Sequence, residues 1–121
     1  MILLLVAALG GVGAAARFVV DGAVRTRWTR TFPLATLVVN VSGSLLIGLL
    51  TGAHLFHDLG PTWLAVAATG FCGGYTTFST AMVETVRLVE AGEVRRATAN
   101  ALGSLLLCVA AASLGVGVMA L

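Results

Sequence analysis

The stretch Gly70-Phe71-Cys72-Gly73-Gly74-Tyr75-Thr76-Thr77-Phe78-Ser79-Thr80 sets five hydroxyl side chains and an adjacent glycine pair inside an apolar segment. Hydroxyls are neutral hydrogen-bond donors and acceptors, while glycines loosen a helix and β-branched threonines crowd it. In hydrocarbon an unpaired backbone N–H or C=O is so costly that irregular backbone survives only where it is buried in protein or lines a polar cavity. The stretch therefore reads as a deliberate helix break at Gly73-Gly74, with half-helix ends aimed at an ion near the bilayer midplane. Asn40 is the second residue suited to such chemistry, with Thr36 four positions earlier on the same helical face. An amide at that depth either hydrogen-bonds a neighbouring helix or lines a wet path.

The elements that must position these groups are membrane helices. Of the 121 residues 59% are hydrophobic and only 10% charged, and the mean hydropathy of +1.04 lies far from that of an ordinary soluble domain. The apolar runs predict a single domain over 1–121, with four spans at about 1–20, 34–53, 63–83 and 99–121 and the third broken. Fifteen glycines and runs such as Ala14 to Ala16 suit close helix contact, because association in lipid depends on packing and polar contacts. The connection from Glu84 to Arg96 reads as a solvated charged helix, and His54, His57 and Asp58 as a solvated turn with too few ligands for a metal. Cys72 and Cys108 read as buried thiols. No cluster of His, Cys or carboxylate lies within a span, which argues against an enzyme, and seven scattered arginines form no face for nucleic acid.

All of those arginines fall in or beside the first and third connections: Arg17, Arg25, Arg27 and Arg30, then Arg87, Arg95 and Arg96. With four spans these connections share one side, so the arginine bias puts them in the cytoplasm and both termini outside.

Three motifs occur in order along the chain: Gly10-Gly11-Val12-Gly13-Ala14-Ala15-Ala16-Arg17-Phe18, then Thr36-Leu37-Val38-Val39-Asn40-Val41-Ser42-Gly43-Ser44, then Gly70 to Thr80. On these the chain resembles the Fluc-type fluoride channels, the family also called CrcB, over nearly its whole length. The resemblance implies an all-α membrane protein that forms an antiparallel dimer, with two narrow fluoride paths and a structural sodium ion at the central interface. It implies that Asn40, Thr36, Phe78, Thr77, Ser79 and Ser104 line a path, and that the backbone carbonyls of Gly73 and Thr76 face the sodium. Arg17 would match a membrane-edge arginine. The residue types suit fluoride: neutral donors replace its hydration without trapping it, and a phenylalanine ring edge attracts an anion weakly.

Two positions depart from the family's pattern: Ala81 stands where a second phenylalanine is expected, and Asn100 where a tyrosine is common. Together with the one-sided arginines they point to a heterodimer with a homologous subunit of opposite charge bias. The expected activity is passive escape of cytoplasmic fluoride, which an inside-negative potential favours by roughly 2.3 kcal/mol per 100 mV. A non-conducting partner subunit of such a channel is the alternative. A small four-span drug exporter fits less well, since it needs an embedded carboxylate and Asp21, Asp58 and Glu84 fall at or beyond span ends.

Overall fold

A computed structural model describes residues 1–121, and the chain is all-helical. Helix α1 spans Ile2–Arg27 and α2 spans Leu34–Phe56. The third segment begins as α3 (Pro61–Ala65), widens into a π-helical stretch at Val66–Cys72, and tightens again in α4 (Gly73–Tyr75). Two extended residues, Thr76 and Thr77, separate it from α5 (Phe78–Glu90), and α6 covers Val94–Met119. Helices α1, α2 and α6 are long and apolar enough to cross a membrane, and the protein is a multi-pass membrane protein. Its outer faces suit lipid, with Leu3, Leu4, Phe18, Val19 and Leu106 exposed.

Small residues set the packing. A Cβ on Gly48 would collide with the Ala112 carbonyl, and one on Gly115 with the backbone at Leu45 and Leu49, so α2 and α6 touch backbone to backbone. The same holds between α1 and the third segment, where Gly13 faces the Phe71 carbonyl and Gly74 faces the Gly10 carbonyl. Dispersion and close backbone approach drive such contacts in lipid, where burial of apolar surface gives no advantage.

Three expectations need correction. The break lies at Thr76-Thr77, not at Gly73-Gly74: both glycines are helical, and Gly74 serves close packing on α1. Helix α1 runs on to Arg27 rather than ending near residue 20, which keeps Asp21 and Arg25 on a rigid helix. The charged connection is not one solvated helix. Residues 84–90 complete α5 and Val94 begins α6, with Gly92 at φ 78° between them. There the Glu93 N–H bonds the Leu88 carbonyl at 2.8 Å and the Gly92 N–H the Val89 carbonyl at 3.0 Å, the paired bonds of a glycine-terminated helix.

The two ends of the bundle differ in charge. At one end Arg96 donates to the Thr31 hydroxyl and Arg25 pairs with Glu84, which brings the first and third connections together. At the other, a His57 ring nitrogen lies 2.8 Å from the Met119 carbonyl, tying the second connection to the end of α6.

Candidate ion site at the helix break

A helix interrupted inside a bundle leaves the last carbonyls of one half and the first N–H groups of the other without helical partners. Thr76 (φ −81°, ψ 160°) and Thr77 (φ −148°, ψ 118°) are extended, and side chains from three helices answer them. From α2, Asn40 acts as a second peptide group: its Nδ2 donates to the Thr77 carbonyl and its Oδ1 accepts the Thr77 N–H, each at 2.8 Å. Thr77 itself caps the start of α5, with its Oγ1 accepting the Thr80 N–H at 3.2 Å. From α1, Arg17 Nη1 donates to the Thr76 carbonyl at 3.2 Å. In an unbroken helix the Thr77 N–H would reach Gly73 O; because Asn40 takes it, that carbonyl is left with an open lone pair.

The predicted residues fall into separate groups. Asn40, Thr77, Phe78 and Ser104 line one cavity of about 290 Å³, together with Ser44 and Ala81. Its wall combines neutral donors with a phenylalanine, the mixture that suits a weakly held anion. Asn40 keeps one N–H beyond its Thr77 bond, since a primary amide carries two. Phe78 is largely exposed, so its ring is free for an added surface as well as for the cavity.

Thr36 does not continue the Asn40 stripe. It is buried and donates to Glu84 Oε1 at 2.9 Å, and it lines a second cavity of about 310 Å³ with Arg17, Asp21, Arg25, Thr77 and Thr80. Ser79 lines a third space, about 720 Å³, together with Glu84, Arg25, Arg30, Arg87 and Thr80. The three spaces share walls: Arg25 and Thr80 belong to the largest and the second, Thr77 to the second and the Asn40 cavity. Arg17 reaches the break, where it donates to the Thr76 carbonyl.

Sequence reasoning missed Glu84. The side chain is only 14% exposed, and at the charged end of the bundle it receives Arg25 Nη2 at 3.1 Å as well as Thr36. Arg25 is held in turn by Asp21 at 2.7 Å, a pair one helical turn apart that the spacing does reveal. The partners of Glu84 lie 48 and 59 residues away, and no local pattern encodes them. The two departures from the family pattern are neighbours: buried Asn100 donates to the Ala81 carbonyl at 3.4 Å and to Thr85 Oγ1 at 2.8 Å.

Residues 4–116 match the family described as CrcB-like protein, Camphor Resistance (CrcB). The chain belongs to the CrcB family. Among its curated relatives is "Fluoride-specific ion channel FluC 1" of Leifsonia xyli subsp. xyli, 48% identical over 115 residues that cover 95% of this chain and 84% of the relative. "Fluoride-specific ion channel FluC 2" of Mycolicibacterium paratuberculosis is 52% identical over 110 residues, covering 91% and 87%. A CrcB relative from Geobacter metallireducens, "Fluoride-specific ion channel FluC", is 45% identical over 112 residues, covering 92% and 90%. CrcB is a family of ion channels, and the chain is not an enzyme.

Proposed function

We propose that this protein is a fluoride-selective channel through which cytoplasmic fluoride leaves the cell passively. The observation that carries the reading is the cavity beside the break, where Asn40, Thr77 and Ser104 offer neutral donors next to Phe78. Fluoride is small and strongly hydrated, so its path must replace water with donors yet hold it weakly enough to release it. The names of the relatives, at 41–52% identity, support the same ion.

In the arrangement we propose, α1, α2, the two-part third segment and α6 make four crossings in one domain, and two copies or close relatives pack antiparallel. The exposed Phe78 and the open Gly73 carbonyl are groups that such a partner would complete. Sodium fits there: the Gly73 carbonyl has an open lone pair and the Thr76 carbonyl keeps a second one beside its Arg17 bond, and both are hard oxygen donors. Such an ion would fix the two breaks to one another. This chain's own residues do the rest, with Asn40 holding Thr77 in place and the hydroxyls presenting donors to the anion.

A second reading is favoured by Ala81, which is buried and bonded through its carbonyl to Asn100. A chain with this pair in place of two aromatic residues would act as one half of a heterodimer in which a single path conducts, or as a non-conducting partner subunit. A drug exporter fits less well: the one carboxylate buried in the bundle, Glu84, is engaged by Arg25 and Thr36, and the relatives are named as channels.

Reconstitution tests both readings. The purified chain, alone and with a homologous subunit of opposite charge bias, is placed in fluoride-loaded liposomes and followed with a fluoride electrode beside a chloride control. Fluoride efflux without chloride efflux is the expected result. Efflux only in the mixture assigns the heterodimer, and silence in both overturns the channel.

A further inference from the structure

Glu84 is an awkward residue for an anion channel. It lines the largest space, and its Oε2 is buried without any hydrogen-bond partner. Oε1 accepts both of its bonds, from Thr36 and from Arg25, and Arg25 is its only ion-pair partner. Arg30, Arg87 and Glu93 line the same space without pairing with it, and Arg17 and Asp21 line the next. An unscreened carboxylate beside an anion's route raises the barrier by direct Coulomb repulsion.

We propose that Arg25 is the residue that neutralises Glu84 and so sets the conductance of the route; the inference rests on the channel reading above. Arg25 is common to the walls of the largest and the second space and is held by Asp21 on its own helix. Arg17, Arg25, Asp21 and Glu84 then cancel in charge. At Arg25 an anion then meets a balanced pair, neither a lone guanidinium that would hold it nor a bare carboxylate that would repel it, while Arg30 and Arg87 line the wider space beyond. Arg25 is thus a positioning residue that acts through Glu84.

The test is a double substitution in the reconstituted full-length protein, under whichever pairing conducts. Arg25→Gln should slow fluoride efflux about tenfold, while Arg25→Lys, which keeps the charge, and the double variant Arg25→Gln/Glu84→Gln should each stay within about threefold of the unmodified protein. Rescue by the second substitution is a readout that a merely structural arginine would not give. Gel-filtration profiles matched to the unmodified protein check assembly. Unchanged efflux in Arg25→Gln overturns the proposal, and so does a double variant as slow as the single one with an intact profile. If the unmodified protein itself carries no fluoride, the channel reading has failed and this inference falls with it.

Discussion

At the scale of single residues the break depends on Asn40. It replaces both peptide partners that Thr77 loses, so Asn40→Ala strands a half-buried N–H and weakens the hold on its carbonyl. Leaving a buried polar group unsatisfied costs about 1–3 kcal/mol. We expect the melting temperature in detergent to fall and fluoride efflux to drop by at least about tenfold, a factor that corresponds to 1.4 kcal/mol on the barrier. Asn40→Asp separates the two roles: it keeps an acceptor for the Thr77 N–H but loses the donor and adds negative charge. Its efflux should be abolished while its melting temperature falls less than that of Asn40→Ala; equal efflux in Asn40→Asp and the unmodified protein would remove Asn40 from the route. The sequence left open whether Asn40 is glue or path; in the structure it bonds Thr77 and also forms part of the cavity wall, and the efflux of these variants decides the second role. Thr36 was legible as a polar residue on the same helix. Its partner was not, because Glu84 is brought to it only by the packing of α2 on α5.

At the scale of elements, the existence of a broken third helix was readable and its location was not. Helix propensity measured in water makes a glycine pair look like the weak point. In lipid the absence of a side chain matters more, and Gly74 lies against the Gly10 carbonyl inside a continuous helix. The signal for the true break was Thr77 followed three residues later by Thr80, a hydroxyl N-cap pattern that starts α5. This difference is testable. Gly74→Ala forces α1 and α4 apart, and overpacking of this kind costs about 1–3 kcal/mol; a lower melting temperature and a smaller yield of folded protein are expected. Gly11→Ala, where a Cβ meets nothing within 4 Å, should leave both unchanged. If Gly74 were only a flexible joint, alanine there would be tolerated as well as at Gly11. The π-helical stretch at Val66–Cys72 has no counterpart in the apolar pattern, since hydrophobicity does not distinguish a π turn from an α turn when every face is apolar.

At the scale of the whole molecule, the arginines and the Ala81–Asn100 pair bear on how two subunits meet. Every arginine except Arg17, which reaches the helix break, belongs to the end of the bundle where the first and third connections join, while the end held by His57 and Met119 has none. Arginine bias fixes insertion, so one chain alone should adopt a single orientation with that end in the cytoplasm. An antiparallel pair then needs a second, differently charged chain. Single cysteines placed at Thr29 and Leu59, after replacement of Cys72 and Cys108, report the side of each connection by labelling in intact cells. We expect Leu59 to label from outside and Thr29 only after the membrane is opened. Moving the bias should move the outcome: Arg27→Ala, Arg30→Ala and Arg95→Ala, which take no part in the ion pairs of the route, combined with arginines at Thr62 and Leu121, should yield a mixed population that labels at both positions. A mixed population in the unmodified chain would instead mean that it dimerises with itself in opposite orientations. In that case Ala81, backed by Asn100, would stand at both routes, and the efflux measured for the chain alone would be the property of two identical paths.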